Sequence, residues 1–545
     1  MAVTTTSSTQ SRPVHMRKPD SNQEQGHPSA PMSNKGVANW DIEAQSFASQ
    51  TTANAEEPEI LPATNTSVSC CPPTLPSFVY ATGSNTSTSI TTPLEIECEL
   101  PRQKHVPVLR SLRWTLLTIY HRLCLLVLVP NLIFIVTSAA QHNLFNIPLP
   151  DMATAVAVNI ALAVLMRQEL VINLLFALVA KCPRRAPLRI RRVLAKIYHL
   201  GGVHSGAGIA ATVWFTFFNA ALIWRWRTNS IPDLPPTNQI PIVVTFTIVI
   251  DMFLISIVVF AHPSLRRRSH NTFEFVHRFL GWMTVFLFWV DLFVLTGVLE
   301  LAKESPRPLG AALLQSPALY LLIIVTVSLI LPWLRLRKVP IRVEHLSNHA
   351  SRWHFQHGNV ELCSASRVTD RPLFEWHSFA GIPEHNGTGY SVIVSNAGDW
   401  TKRMIQNPPA KLWVRGIPVR GVLHIATIFQ KIVVVATGSG IGPVLSLLTA
   451  RDLPCRILWS ARDPIHTYAK TIIDEVFVAD PAALIFDTKA MDRNNRPDLL
   501  KLAYGLYKES NAEAVFVISN QKVTEKLVYG LESRGVPTFA PIFDS

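Results

Sequence analysis

The 545-residue sequence is short of charge and poor in cysteine. Charged residues make up only 16% of it and hydrophobic residues 48%, and the mean hydropathy is positive, a balance that points away from an ordinary water-soluble domain. The seven cysteines, Cys70, Cys71, Cys98, Cys124, Cys182, Cys363 and Cys455, show no CxxC or Cys/His ligand spacing, so neither a disulfide framework nor a zinc site is supported. The opening residues MAVTTTSSTQSRP contain no apolar run, so no secretory signal peptide is expected. Residues 1–105 also hold few large apolar side chains and are rich in Ser, Thr, Asn, Gln and Pro. Such a segment cannot bury enough surface to offset its ordering entropy, and a disordered tail is expected there.

What is abundant is long apolar sequence. Between residues 110 and 338 six stretches stand out, at about 113–139, 152–180, 198–224, 239–261, 277–299 and 316–334. Each approaches or exceeds the ~20 residues that a bilayer-spanning helix needs. Lys and Arg cluster on alternate sides of these stretches. Nineteen lie before the first, between the second and third, between the fourth and fifth, and after the sixth; the opposite loops hold only Arg225, Arg227, Lys303 and Arg307. That asymmetry predicts cytoplasmic termini. The net charge of +13 is thus accounted for beside a lipid bilayer, and no nucleic-acid partner is expected.

After residue 340 the pattern changes. Residues 340–428 alternate short strand-like runs with turns, which suits a small antiparallel β-barrel. Residues 429–545 repeat strand then helix, which suits an α/β parallel sheet. The run Ile432–Leu448 passes from a wholly apolar strand into Gly438, Ser439, Gly440, Ile441, Gly442 and Pro443 and then a helix. Glycines in such a turn let backbone amides approach a pyrophosphate at a helix N-terminus. Ser460 and Arg462 end the next strand, where a hydroxyl and a guanidinium suit a 2′-phosphate.

Three ordered motifs carry a resemblance. Glu375, Trp376, His377, Ser378, Phe379 and Ala380 are similar to the EWHPFT of NADPH oxidases and ferric reductases; Gly398, Asp399, Trp400 and Thr401 match their GDWT; and the 438–443 turn resembles their nicotinamide-domain glycine turn. The resemblance implies a six-helix transmembrane bundle followed by a cytosolic ferredoxin-reductase-like unit. It implies FAD on the barrel beside His377–Ala380, and NADPH, or alternatively NADH, on the glycine turn. Departures are visible. Ser378 and Ala380 replace Pro and Thr; VRGIPVRG (414–421) replaces a GPYG-like turn, leaving Arg415 and Arg420 as candidates to meet phosphates; and Ile518-Ser519-Asn520 replaces a late CGP. Phe543 stands where terminal aromatics shield the flavin in relatives.

In that family each of two haems is held by one histidine from the third helix and one from the fifth. Here His277 and Gly281 match the start of the fifth helix, and His204 and Gly208 repeat the spacing in the third, with His199 nearby. The outer positions hold Phe218 and Asp291 instead. Haem is therefore not expected, an inner haem between His204 and His277 being the alternative. For Asp291, and the other deep charges Arg167, Glu169 and Asp251, the alternatives are a structural contact such as Arg167–Asp251 and a polar pocket or proton relay at Asp291. The combination resembles the fungal TmpA-type membrane flavoproteins, associated with developmental signalling. It implies a plasma-membrane oxidoreductase passing electrons from NAD(P)H through FAD to an unknown acceptor. The alternatives are a non-catalytic nucleotide-binding redox sensor or a haem-containing transmembrane ferric reductase.

Overall fold

The computed structural model describes residues 99–142, 145, 147–228, 240–301, 303, 305–384, 387–450, 452–491 and 496–542. The tail up to residue 98, with Cys70, Cys71 and Cys98, and the terminal Phe543 lie outside the described residues.

In chain order the first half forms α1 (Ile119–His142), α2 (Leu149–Leu165), α3 (Glu169–Ala180), α4 (Gly201–Arg227), α5 (Ile240–Ala261), α6 (His270–Leu301) and α7 (Pro317–Ile330). α1, α4, α5, α6 and α7, some with short extensions, are long and apolar enough to cross a membrane. Their outward faces stay apolar: Leu126, Leu132 and Ile133 of α1 are more than half exposed. A hydrocarbon surrounding tolerates that surface and water does not.

The second apolar stretch, expected as one helix over 152–180, is broken. α2 and α3 meet at 66° across Met166–Gln168. The cause is the polar group Arg167-Gln168-Glu169. Gln168 Oε1 accepts from the amides of Leu170 at 2.5 Å and Val171 at 3.2 Å and so starts a new helix. Glu169, 3% exposed, accepts from Arg367 and from the Ile417 amide at 2.8 Å. Asn173 bonds the Pro418 carbonyl and the Arg420 amide. α3 is thereby docked on the strand-rich half, and its Phe176 and Val179 enter that half's core.

The interior of the helical part is filled by side chains. α4 packs on α1 and α2 through Ala207, Ala210, Ala211 and Trp214. Phe218, at the position of an outer histidine, is buried and stacked on Phe215 at 5.6 Å. Asp291 of α6 is buried too, and its Oδ1 has no hydrogen-bond partner among the described residues.

The second half holds two sheets. β1 (Arg337–His345), β2 (Ala350–Phe355), β3 (Ser364–Thr369), β4 (His377–Ala380), β5 (Ile382–Pro383), β6 (Tyr390–Ser395) and β7 (Lys411–Arg420) form an antiparallel sheet of order β4-β3-β7-β1-β2-β6-β5, with α8 (Asp399–Gln406) between β6 and β7. β4 and β5 stand at opposite ends of that order but are consecutive in the chain, so the sheet rolls up as a barrel around Trp353, Val368, Val392 and Trp400. β8 (Ile432–Thr437), α9 (Ile441–Leu448), β9 (Cys455–Ala461), α10 (Lys470–Ala479), β10 (Leu484–Asp487), α11 (Leu499–Glu509), β11 (Ala514–Ile518), α12 (Gln521–Glu532) and β12 (Thr538–Phe539) follow. Their strands make a parallel sheet of order β10-β9-β8-β11-β12. β8 and β11 are buried on both faces, which is why they read as unbroken apolar runs. One hydrophobic core runs through both sheets and takes in Phe176, Ala195, Ile393, Val422 and Phe429.

Candidate functional site

The parallel sheet reverses its winding between β8 and β11, which opens a crevice beyond the C-terminal ends of those strands. Gly438–Gly440 leaves β8 there and runs into α9. A Cβ on Gly440 would lie 2.2 Å from the Ile518 carbonyl oxygen at the end of β11, so only glycine lets the turn close against its neighbour. Ser439 is exposed at the tip, while Ile441 and Gly442 are buried and Pro443 is half-buried in the first turn of α9. The first amides of α9 lack helical acceptors and face the crevice mouth. Thr437 and Ser519 hydroxyls meet at 2.5 Å beside it, so Ser519, of the Ile518-Ser519-Asn520 run, stands at the crevice wall.

Ser460, the last residue but one of β9, is in register with Thr437, and the exposed Arg462 follows the strand. The Arg462 guanidinium makes no hydrogen bond among the described residues. Two side chains that sequence reasoning missed, His466 and Lys489, gather on the neighbouring Asp463. Asp463, in the left-handed region at φ 49, bonds Lys489 Nζ at 2.6 Å and His466 Nδ1 at 2.6 Å. The Lys489 hydrogen bond, with His466, holds the Asp463 carboxyl down at about 2, and the same contact raises Lys489. Lys489 lies just past β10, and only the parallel pairing of β9 with β10 brings it here.

The barrel motif comes to the same place. α9 packs on β4 and β5, and Gly442 lies against Ile393 of β6. The Cys363 amide donates to Ser446 Oγ of α9 at 3.0 Å. The HSFA strand and the glycine turn, some sixty residues apart, are thus neighbours. Within β4, Ser378 is exposed and Ala380 half-buried. His377 stacks on Trp400 with centroids 3.9 Å apart and pairs with Glu375 at 3.1 Å. Phe379 stacks on the other part of the Trp400 surface at 6.2 Å. Trp400 is buried and its Nε1 donates to Asp370 at 2.8 Å. Thr401 Oγ1 accepts from the Ala397 and Gly398 amides at 2.9 and 3.0 Å, which caps α8. Of the GDWT motif, then, Gly398 and Asp399 face outward, and Trp400 and Thr401 build the barrel interior.

The two arginines of VRGIPVRG have different fates. Arg420 is engaged by Glu361 and by the Asn173 carbonyl at 2.7 Å. Gly416, at φ +70, leaves space that the Glu169 carboxylate fills, a role no other residue type fits. Arg415 lies between two tryptophans, its guanidinium carbon 4.5 Å from the Trp376 ring and 4.8 Å from the Trp333 ring. Trp376 is fixed by its own Nε1, which donates to the Pro372 carbonyl at 2.8 Å.

Beneath this junction the rings of His204 and His277 face each other with centroids 6.0 Å apart. His204 Nδ1 donates to the Ala163 carbonyl at 2.8 Å, which leaves its Nε2 with the lone pair. His199 instead stacks on Tyr198 at 4.3 Å. Among the described residues no group of three or more His, Cys, Asp or Glu side chains is placed to hold a metal ion.

Residues 422–545 match the family of the adenylate-forming reductase 03009 C-terminal domain. Over 445 residues the chain is 42% identical to adenylate-forming reductase 03009 of Coprinopsis cinerea, covering 82% of this chain and 42% of that one. Over 456 residues it is 41% identical to adenylate-forming reductase 06235 of the same organism, covering 83% and 42%. The chain therefore spans less than half the length of these relatives. Among solved structures it is similar to a ferredoxin NADP+ reductase from Neisseria gonorrhoeae with bound FAD and NADP, at 14% identity and TM-score 0.32, covering 38% of this chain and 99% of that one. It is also similar to the ferredoxin reductase in carbazole 1,9a-dioxygenase, at 13% identity and TM-score 0.31, covering 38% and 70%.

Proposed function

We propose that the chain is a membrane-embedded flavoprotein oxidoreductase that takes electrons from NADPH, with NADH as the other nucleotide, through FAD to an acceptor reached from the cytoplasmic side. The observation that carries it is the juxtaposition of the 438–443 turn with β4, two motifs that would otherwise have no reason to meet. The residues fit a nicotinamide nucleotide: a close-packed glycine turn at the switch point, a free Arg462 and the Lys489 amine edge it. They fit a flavin dinucleotide in part, since Ser378 is exposed and the Arg415 guanidinium has no hydrogen-bond partner among the described residues, while Ala380 offers no hydroxyl. A bound flavin would supply hydride acceptance and onward electron release. The chain's own residues would orient the two cofactors and exclude water between them, because α9 and the barrel share one dry core.

The apolar helices and the Lys/Arg asymmetry support two cytoplasmic termini, with the broken α2–α3 pair counted as one crossing. A plasma-membrane location and a developmental signalling role belong to the same reading. The names of the two relatives support a reductive activity. Purified full-length protein tests this by its absorption spectrum, recorded anaerobically with and without NADPH. A flavin band that bleaches supports the reading; bound flavin that never bleaches supports the sensor; and protein that retains no flavin and changes nothing on adding NADPH sinks it.

The His204–His277 pair favours a second reading with one inner haem. Two imidazoles on facing helices, one fixed through Nδ1 with Nε2 free, have the donor chemistry of axial ligands. A Soret band lost in both His204→Ala and His277→Ala decides for it.

A further inference from the structure

We propose that the diphosphate of the flavin dinucleotide is gripped at the junction of the barrel with the helices, by Arg415 of β7 and Arg278 of α6, between walls made by Trp376 and Trp333. This rests on the flavoprotein reading above and names the phosphate-binding part of that site.

The argument begins with what the other cations are doing. His377 is occupied by Glu375 and Trp400. Arg420 is occupied by Glu361 and Asn173, Arg367 by Glu169, and Arg403 by Asp370. Arg415 makes no hydrogen bond among the described residues, and Arg278 has no anion partner among them beyond Glu274. Arg415 Nε and Arg278 Nη1 are buried donors without an acceptor. Arg278 has only a 3.7 Å approach to Glu274. A guanidinium carries five N–H donors, and leaving them buried and unmade is costly unless a ligand completes them.

The two arginines belong to one groove. Arg278 and Trp282 are one turn apart on the same face of α6. Trp282 touches Trp333 at 5.7 Å, and Trp333 is the ring on which Arg415 stacks. Trp333 and Trp376 meet edge to face at 6.2 Å, so the guanidinium plane of Arg415 is held in one orientation. The exposed Ser378 and the half-buried β4 lie alongside. Burial, and then the charges of Arg367 and Arg278 against the opposing charge of Glu169, push Arg415 down to about 10, so its guanidinium sits in a dry place beside other cations. Paired guanidinium forks match phosphate oxygens in charge and shape.

The same chemistry would accept the headgroup phosphate of a membrane lipid, so the test separates the two sources. Detergent-purified full-length protein is stripped of flavin and titrated with FAD, FMN and riboflavin, following flavin fluorescence. The wild type is expected to bind FAD about tenfold or more tighter than riboflavin, with FMN between. Arg415→Gln and Arg278→Gln should each weaken FAD about 10- to 100-fold while changing riboflavin less than about 3-fold, and Arg415→Lys should recover part of the loss. Arg278→Gln, on a separate element, keeps the test open if Arg415→Gln does not fold. Equal losses for FAD and riboflavin, or unchanged FAD affinity in both variants, would overturn the grip. So would variants that shed co-purifying anionic phospholipid while FAD binding stays as it was. A wild type that binds none of the three flavins overturns this proposal together with the reading beneath it, whereas normal FAD binding with indifferent arginines overturns the grip alone.

Discussion

Replacing Gly440 by alanine perturbs the crevice beyond β8 and β11 at its tightest point. The added Cβ would stand 2.2 Å from the Ile518 carbonyl oxygen, 3.0 Å from its carbon and 3.2 Å from its Cγ2. The obstacle is backbone in the middle of a parallel sheet, so it cannot rotate away, and the turn itself must retreat by roughly 1 Å, with an overpacking cost of about 1–3 kcal/mol. A turn displaced that far loses at least one amide contact to a bound phosphate. Hydrogen bonds to charged groups are worth about 1.5–3 kcal/mol, so NADPH affinity should fall roughly 10- to 150-fold. Gly440→Val should do worse. Flavin content should hold, because the turn borders the flavin groove without forming it. Nucleotide titration by fluorescence, with a melting curve alongside, reads both effects. Gly440→Ala protein that binds NADPH as the wild type does, and melts with it, would refute the placement of the nucleotide at this turn.

Three further outcomes follow from the geometry. Burial raises the Glu513 carboxyl, but Arg191, donating at 2.5 and 2.8 Å, outweighs it and holds the carboxyl below the usual range. Its stabilisation is therefore present above the unfolded value of about 4.3 and lost as pH falls through the depressed folded value; melting curves of wild type and Glu513→Gln should converge in acid and separate near neutrality. Glu169→Ala leaves the half-buried Ile417 amide and Arg367 without their acceptor and should cost about 3–5 kcal/mol, seen as faster proteolysis between α2 and β1. Arg462→Ala should narrow the preference for NADPH over NADH by about tenfold with little change in flavin content, read from the two KM values.

What could be read from the residues alone was whatever leaves a local trace. The strand Ile432–Thr437 and its glycine turn were visible because burial on both faces demands an apolar run and the Ile518 approach demands glycine. The long helices were visible because their outward surface stays apolar all round. The break at Met166–Gln168 had its signal too, in Arg167-Gln168-Glu169, but the partners that make it a bend, Arg367 and Ile417, lie some two hundred residues on. Trp400 and Thr401 were legible as a motif and illegible as barrel-building groups, since their hydrogen bonds run to Asp370 and to backbone amides. Lys489 and Arg278 looked like ordinary cations, one after a strand and one inside a helix start. Only pairing of β9 with β10, and the contact of α6 with Trp333 and Phe374 through Trp282 and Phe279, gives them neighbours.

The bend between α2 and α3 also decides where this protein can be divided. Residues 169–200 are contiguous with the apolar helices in the chain but belong to the strand-rich half in space: Phe176, Val179 and Ala195 share its core, Arg191 is clamped to Glu513, and Lys196 reaches Glu532 and the Thr538 carbonyl. A fragment cut at residue 340 would uncover the Val422–Phe429 surface and strand the Glu513 and Glu532 carboxylates, and it should aggregate. Tethering 169–200 to that fragment should return it to solution, so the natural unit for expression is discontinuous in sequence.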